Sequence, residues 1–296
     1  MHALAQKLRN LATVHDEELR ALVTMFSVKR SIRRGEDIIT IGSSSTYSTV
    51  LLQGLACRYK IIENGRRQIF TFQYPGDFCD GHSYILPIPD NAVSALTECS
   101  VGIILHKDIE RLTAKFPNLG LALWRDTMIE ASIFREWNVG QRPALERIAH
   151  LLCEQTVRLE SIGIIGGAIP MTQVDLADAA GLSTVHVNRT IQDLRQLGVL
   201  MKNSRAIAVS HWDGLVEIAK FDGRYLNMPQ VLSKWSCPVL PISQSTHETS
   251  GPTSARQKPT TANADQANNV PKIGTTYAKR SGSWHLLGVT LRPARQ

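Results

Sequence analysis

The stretch TQVDLADAAGLSTVHVNRTIQDLRQLGVL, residues 172–200, is the most informative part of the sequence, because it predicts two short helices joined by a turn. Thr172 is a suitable N-cap for a first helix, and Gly181 supplies the positive φ that a sharp turn requires. A second helix follows, capped by Ser183 or Thr184, and its apolar residues recur at helical spacing. Two helices joined by a short glycine turn are typical of a helix-turn-helix.

Three residues shape the predicted turn of this motif. Ala177 is small, so the first helix can approach the second closely, and Gly181 makes the turn itself. Leu182 fills the gap beneath the turn. The apolar face that the second helix turns inward consists of Val187, Ile191 and Leu194. The alternative interpretation is a helical hairpin with an ordinary polar face.

The outward face of the second helix carries side chains that match base edges in a major groove. Arginine can donate two hydrogen bonds to guanine, and asparagine or glutamine can pair with adenine in the same way. The predicted base contacts are Thr184, Val185, Asn188, Arg189 and Gln192. The predicted contacts to the DNA backbone are Thr172, Gln173, Ser183, Arg195, Lys202 and Arg205, of which the last two lie in a predicted strand-turn-strand wing. Double-stranded DNA is the partner that this face predicts.

The first part of the chain predicts a different fold class. Residues 3–26 have the apolar spacing of two short helices. From 32 to 106 short β-rich runs alternate with turn residues, which indicates a compact β domain. The clearest element is Asn64-Gly65, between CRYKII and RQIFTF, because both residues tolerate the positive φ of a tight hairpin turn.

A long helix is predicted between these two regions, from Leu119 to Trp137. Its apolar residues occupy more than one face, whereas an isolated helix on a protein surface needs only one. One face is expected to pack on the β domain and the other on a second copy of the same helix. The face assigned to this dimer contact is Leu121, Trp124, Met128 and Ala131. A core helix of a monomer is the alternative.

Charge divides the chain into unequal parts. The formal net charge is +7, yet 1–110 and 141–225 each carry equal numbers of acidic and basic residues, and 226–296 carries an excess of six basic residues. The DNA-binding prediction therefore rests on motif geometry and not on net charge. Residues 238–283 are Pro, Gly, Ser, Thr, Asn or Gln at 27 of 46 positions, which predicts a disordered tail. The predicted domains are a β domain at 1–110, a dimer helix at 111–140, a DNA-binding domain at 141–226 and a low-complexity basic tail at 227–296.

The order of these elements resembles the Crp/Fnr family of bacterial transcription regulators. The resemblance covers residues 1 to 226, and the segments ERIAHLLCE and GLSTVHVNRTIQDLRQLGVL carry it most specifically. It implies an α+β fold with a double-stranded, jelly-roll-like β-roll sensor domain, a dimerisation helix and a winged helix-turn-helix. It also implies a homodimer on approximately palindromic DNA, with RNA polymerase as a further partner.

The family's base-reading positions fall at Thr184, Val185 and Arg189. In the best-known members the first two are Arg and Glu, so only Arg189 keeps the family chemistry. The resemblance therefore implies a different preferred half-site for this chain.

The cyclic-nucleotide pocket of the family is degenerate here. The turn Gly76-Asp77-Phe78 matches, but Asp80-Gly81 stands where the family has Gly-Glu, and Pro89-Asp90 stands where it has Arg-Ser. No basic residue lies between Arg67 and Lys107. A bound phosphate would thus face Asp80 and Asp90 with no cation, so the sequence predicts that cAMP does not bind. The residues of this degenerate pocket are Gly76, Asp77, Asp80, Gly81 and Asp90.

Other functions find little support in the residues. Cys79 and His82 are two side-chain types that ligate haem, but such a pair recurs often by chance, so no cofactor is expected. No phosphate loop, metal cluster or nucleophile-base spacing indicates an enzyme. No signal peptide or membrane span is predicted, which favours the cytoplasm. The sequence therefore predicts a sequence-specific DNA-binding transcription regulator of unknown effector, and the alternative is a ligand-sensing signalling module whose helix-turn-helix contacts other proteins.

Overall fold

A computed structural model describes most of the first 228 residues and little of the rest. The described residues are 2–81, 83–86, 88–138, 142–166, 168–202, 204 and 206–228, with the backbone of 277–280 and 283–286. Residues 1–242 form one compact unit and 243–296 a second. In the second unit Tyr277–Arg280 pairs antiparallel with Ser283–Leu286. Most of the predicted tail at 227–296 lies outside the described residues.

The chain begins with the two short helices that the apolar spacing predicts, α1 (His2–Leu11) and α2 (Asp16–Thr24). Leu4, Leu8 and Leu11 of α1 are all buried, as an i, i+4, i+7 face requires. The second helix begins where the Glu18 carboxylate accepts a hydrogen bond at 2.6 Å from the backbone N–H of His15. The buried leucines of both helices belong to the same apolar core as Val50 and Phe72 of the β domain that follows.

Among its described residues, that domain contains seven strands in two antiparallel sheets. The strands are β1 (Val28–Ile32), β2 (Asp37–Ile39), β3 (Tyr47–Gln53), β4 (Ala56–Ile61), β5 (Arg67–Gln73), β6 (Ala92–Ala95) and β7 (Cys99–Leu105). One sheet has the order β1-β7-β3 and the other the order β2-β6-β4-β5. Phe72, Ile69 and Val50 are fully buried, which places the core between the sheets.

The predicted hairpin at Asn64-Gly65 joins β4 to β5, with Ile61 paired to Arg67. Gly65 has a φ of +77°, and its N–H donates to the Ile62 carbonyl at 2.8 Å. Asn64, however, is not in the positive-φ region. The predicted turn is confirmed, and only Gly65 uses the positive φ that both residues tolerate, because the loop is longer than two residues and needs it at one position.

Helix α3 (His106–Lys115) leads into the long α4 (Pro117–Asn138). Proline suits the first position of a helix, where its missing N–H costs no hydrogen bond. The inner face of α4 buries Leu119, Ala122, Ile129 and Ile133. The opposite face exposes Leu121, Trp124 (66%) and Met128 (50%), with Ala131 half-buried beside them. The two-sided apolar pattern of the sequence is therefore present on the folded helix.

The last part of the unit is helical. It contains α5 (Ala144–Ser161), α6 (Gln173–Ala180), α7 (Thr184–Gln196), α8 (Trp212–Ala219) and a 3-10 turn at Gly223–Leu226. The predicted wing has no extended strands among its described residues, only bridges that pair Leu200 with Val209 and Ile169 with Ile207. No helix in the described part of the chain is both long and apolar enough to cross a membrane.

Candidate DNA-binding site

Helix α6 starts with the cap that the sequence predicts. The Thr172 hydroxyl accepts a hydrogen bond from the Asp175 N–H at 3.2 Å, and the Asp175 carboxylate accepts one from the Thr172 N–H at 3.0 Å. This reciprocal capping box satisfies two backbone donors that the first turn leaves free. Gly181 ends the helix with a φ of +67°. The predicted cap and glycine turn are both confirmed.

Helix α7 packs on α6 as the periodicity predicts. Ser183, and not Thr184, is its cap, since the Ser183 hydroxyl accepts from the His186 N–H at 3.2 Å. Ala177 of α6 is buried, and the partly buried Leu182 packs on the same core. The inner residues of α7, namely Val187, Ile191 and Leu194, are fully buried. The helix-turn-helix geometry is confirmed.

The outward face of α7 presents every predicted base-contacting residue to solvent. Thr184, Val185, Asn188, Arg189 and Gln192 are all exposed. One member already has a partner, because the Asn188 side-chain amide donates to Gln173 Oε1 at 3.0 Å. Chemically, this face can donate to guanine and adenine edges and can contact a thymine methyl.

The residues predicted to contact the DNA backbone differ in their availability. The hydroxyls of Thr172 and Ser183 serve as helix caps, and Lys202 is exposed. Arg195 is directed toward the wing, where its Nη2 donates to the Ser204 carbonyl at 2.6 Å. Arg205 lies outside the described residues. Arg195 therefore has a structural partner within the protein that the sequence did not indicate.

A contact between the β domain and α6 was not predicted. Arg67 of β5 donates from Nε to Asp178 Oδ2 at 2.7 Å and from Nη2 to Asp175 Oδ1 at 3.0 Å. Its neighbour Arg66 donates to the Leu182 carbonyl at 3.2 Å. The two acids of α6 are thus neutralised from the β domain. The sequence signal was present as two arginines after the hairpin turn and two aspartates three residues apart, but nothing local joins them.

A second set of buried charges connects the β domain to α5. Asp77 pairs with Lys7 of α1 at 2.6 Å and with Arg158 of α5 at 3.3 Å. Nearby cations outweigh the effect of burial and hold the pKa of Asp77 below its ordinary value. Asp77, predicted as part of a degenerate effector pocket, thus faces α1 and α5, because the Gly76 turn directs it there. It holds the β domain against the DNA-binding domain.

Comparison with known proteins finds a family match in two separate parts of the chain. Residues 29–116 match the cyclic nucleotide-binding domain, and residues 146–218 match the Crp-like helix-turn-helix domain. The nitrogen fixation regulation protein FixK of Bradyrhizobium diazoefficiens is 30% identical over 195 residues, which cover 63% of this chain and 74% of FixK. The transcriptional activator protein FnrL of Cereibacter sphaeroides is 28% identical over 216 residues, which cover 70% of this chain and 86% of FnrL.

The structure of FixK2 from Bradyrhizobium japonicum superimposes with a TM-score of 0.58 at 27% identity, over 64% of this chain and 96% of FixK2. The chain belongs to the Crp/Fnr family. Members of this family share one general function, and the protein is accordingly a DNA-binding transcription regulator.

Two aspartates of the predicted degenerate effector pocket, Asp80 and Asp90, have partners within the protein that the sequence did not indicate. Asp80 is buried, and its carboxylate accepts from the Thr49 N–H at 2.7 Å. Burial raises the pKa of Asp80 to about 6, opposed by that hydrogen bond and by the nearby Arg58 guanidinium. Asp90 instead pairs with Lys60 at 3.0 Å, and this contact lowers the pKa of Asp90.

The prediction that these aspartates lie without a cation is therefore wrong. Arg58 and Lys60 both lie on β4, which precedes the segment between Arg67 and Lys107 that contains no basic residue. Strand pairing of β4 with β6 brings them to the segment around Asp90. Gly81 is half-buried, and a methyl group on it would lie 3.2 Å from the Phe78 Cβ, so the turn at this point is closely packed.

Of the two residues considered as haem ligands, Cys79 and His82, the structure describes only Cys79. Cys79 is fully buried, and burial raises the pKa of its thiol well above the ordinary value. A neutral buried thiol behaves as a small apolar group. His82 lies outside the described residues.

Proposed function

We propose that this Crp/Fnr protein acts as a cytoplasmic homodimer that reads approximately palindromic DNA with α7 in the major groove. The proposal is supported by the exposed face of α7. Its position is fixed by the cap at Thr172, the turn at Gly181 and the cap at Ser183. The exposed residues of this face are Thr184, Val185, Asn188, Arg189 and Gln192. Two such helices related by a dimer axis would enter grooves about 34–36 Å apart.

The exposed face of α4 supports the dimer. Leu121, Trp124 and Met128 form an apolar stripe that is exposed and is not covered by any residue in the described part of the chain. A stripe at this spacing packs well against its own copy in a coiled-coil-like pair. The relative FnrL is named a transcriptional activator. By analogy RNA polymerase is a partner of this chain.

Regulation is proposed to need neither cAMP nor haem, and no catalysis is assigned. The support is chemical, since Asp80 and Asp90 occupy the segments that would face a nucleotide phosphate. Each is already engaged with the protein. An added phosphate would have to displace these contacts, and Arg58 and Lys60, the cations beside these aspartates, already have acceptors within the protein.

Selection from random DNA tests the reading helix. The wild type should yield a two-fold symmetric preferred sequence, and Arg189→Ala should lose preference at one base pair of each half-site, at a cost of about 1–3 kcal/mol. Arg20→Ala, an exposed arginine of α2, is the matched control and should leave the preferred sequence unchanged. An identical preferred sequence for wild type and Arg189→Ala would refute the assignment of α7, and failure of the wild type to select any DNA would favour a protein-contact role.

A further inference from the structure

Arg58 is a buried cation inside the β-roll. It lies in the middle of β4, paired with Thr71 of β5 on one side and Val93 of β6 on the other, and the residue is only 6% exposed. A guanidinium removed from water is costly unless each donor finds an acceptor. The acceptors of the Arg58 guanidinium therefore show which parts of the chain this buried residue joins.

Each of the three guanidinium nitrogens has a different partner. Nη1 donates to the Asn91 side-chain oxygen, Nη2 to the Cys79 carbonyl and Nε to Glu130 Oε1, all at 2.9 Å. Gln73 of β5 also donates to Glu130 Oε1, at 3.0 Å. The planar guanidinium thus holds three separate parts of the chain in fixed directions.

Two of these three parts directly follow the segments that the family resemblance assigns to the effector pocket, and the third lies on α4. Cys79 directly follows the Gly76-Asp77-Phe78 turn, and Asn91 directly follows the Pro89-Asp90 segment that aligns with the family's anion-binding pair. Glu130 lies on α4, next to the exposed stripe. Arg58 therefore connects both effector segments to the helix on which the proposed dimer depends.

We propose that Arg58 is a built-in substitute for an effector in this β-roll. It fixes α4 against the β-roll and so maintains the DNA-binding arrangement of the dimer without a diffusible ligand at this place. The inference rests on the proposed function, because it requires α4 to set the positions of the two α7 helices. A covalently attached group is always present, so this connection is independent of any metabolite concentration.

Chemical rescue tests the proposal. Arg58→Ala removes the guanidinium and leaves its three partners in place. We expect DNA affinity to fall by about tenfold or more, within the usual range of coupling between sites. Methylguanidinium at millimolar concentration, far below denaturing levels, should restore binding in Arg58→Ala and leave the wild type unchanged. The variant would then be a regulator that responds to an added ligand.

Three further variants make the result specific. Glu130→Gln removes the charge that pairs with Arg58 on α4. Because the Glu130 side chain is 31% exposed, the variant should stay folded, and it should bind DNA more weakly. Arg58→Ala combined with Glu130→Gln should not respond to methylguanidinium. Arg67→Ala, which lacks a different guanidinium at the β5–α6 contact, should not respond either.

The outcomes separate this inference from the proposed function. Wild-type protein that neither dimerises nor selects DNA contradicts the proposed function. If the wild type dimerises and selects DNA, two results would overturn only the role of Arg58. One is an Arg58→Ala variant that binds DNA with the affinity of the wild type. The other is a folded Arg58→Ala variant that binds DNA more weakly and is not rescued by methylguanidinium. If Arg58→Ala does not fold, Glu130→Gln decides, and unchanged DNA affinity in that variant overturns the proposal.

Discussion

Arg67 Nε of β5 lies 2.7 Å from Asp178 Oδ2 of α6, and this ion pair joins the β-roll directly to the first helix of the helix-turn-helix. Both side chains are mostly shielded from water, so their attraction is screened less than that of a surface pair. The same guanidinium also holds Asp175, whose carboxylate completes the capping box with Thr172 at the start of α6. The β-roll thus contacts the helix that supports α7.

A double-mutant cycle of Arg67→Ala and Asp178→Ala should show coupling of about 0.5–3 kcal/mol in urea unfolding. Arg67→Ala should also speed hydrogen exchange in α6, because the helix loses its anchor on the β-roll. The matched control is Arg111→Ala with Asp108→Ala, a pair at 3.5 Å whose arginine is 73% exposed. Additive effects at Arg67 and Asp178 would show that the ion pair does not stabilise the domain contact.

Gly181 is expected to resist substitution for backbone reasons alone. Its φ of +67° disfavours any side chain, although an added methyl group would find its nearest neighbour, Gln68 Oε1, at 3.9 Å. Gly181→Ala should therefore cost about 1–2 kcal/mol without any steric clash. Gly120→Ala, within α4, should instead stabilise the protein by about 0.5–1 kcal/mol through helix propensity. Thermal unfolding of both variants checks the pair, and equal effects would contradict the backbone explanation.

Asp80 predicts a pH dependence of stability. Its folded pKa of about 6 lies above the ordinary value of 3.8, so the folded chain binds this proton more tightly than the unfolded chain does. Its contribution to stability therefore decreases as the pH rises from about 4 to 6. Asp80→Asn keeps an oxygen for the Thr49 N–H and should gain stability relative to wild type over this window, by up to about 3 kcal/mol.

Urea unfolding between about pH 4.5 and 7.5 measures this difference. Asp193→Asn replaces an exposed carboxylate of α7 and is the control for removing one acidic charge from the protein. A difference between Asp80→Asn and wild type that stays constant over this pH range would mean that the Asp80 carboxyl titrates alike in the folded and unfolded chain.

The stripe on α4 predicts a defined oligomeric change. Trp124→Glu places a charge where the proposed dimer buries an indole, and each dimer carries two copies. The loss of apolar burial alone should weaken the dimer by about 3–6 kcal/mol. Sedimentation should show monomers, and binding to a full palindrome should fall to the level of a half-site. Val23→Glu, on the exposed face of α2, should leave the wild-type assembly intact.

The sequence predicts the helix-turn-helix well because its signals are local. The cap at Thr172, the positive φ of Gly181 and the inward spacing from Val187 to Leu194 depend only on residues a few positions apart. The choice between Ser183 and Thr184 as cap was not settled by residue type, since both hydroxyls can accept the bond.

The contacts of Arg58 could not be predicted in this way. Its partners lie 21, 33 and 72 positions away along the chain. They become neighbours only through the register of β4 with β6 and through the packing of α4. The same holds for Arg195, which faces solvent on a helical projection but meets Ser204 once the chain folds back after α7.

The hydrogen bond between Asn188 and Gln173 limits how a new DNA preference can arise. Replacing Asn188 to recognise another base would also release Gln173, so a change at one helix alters the chemistry offered by the other. Single substitutions at this position would therefore shift two contacts at once. Altered specificity is expected to require paired changes at 173 and 188, and libraries that vary both positions together should contain functional variants that single-site libraries lack.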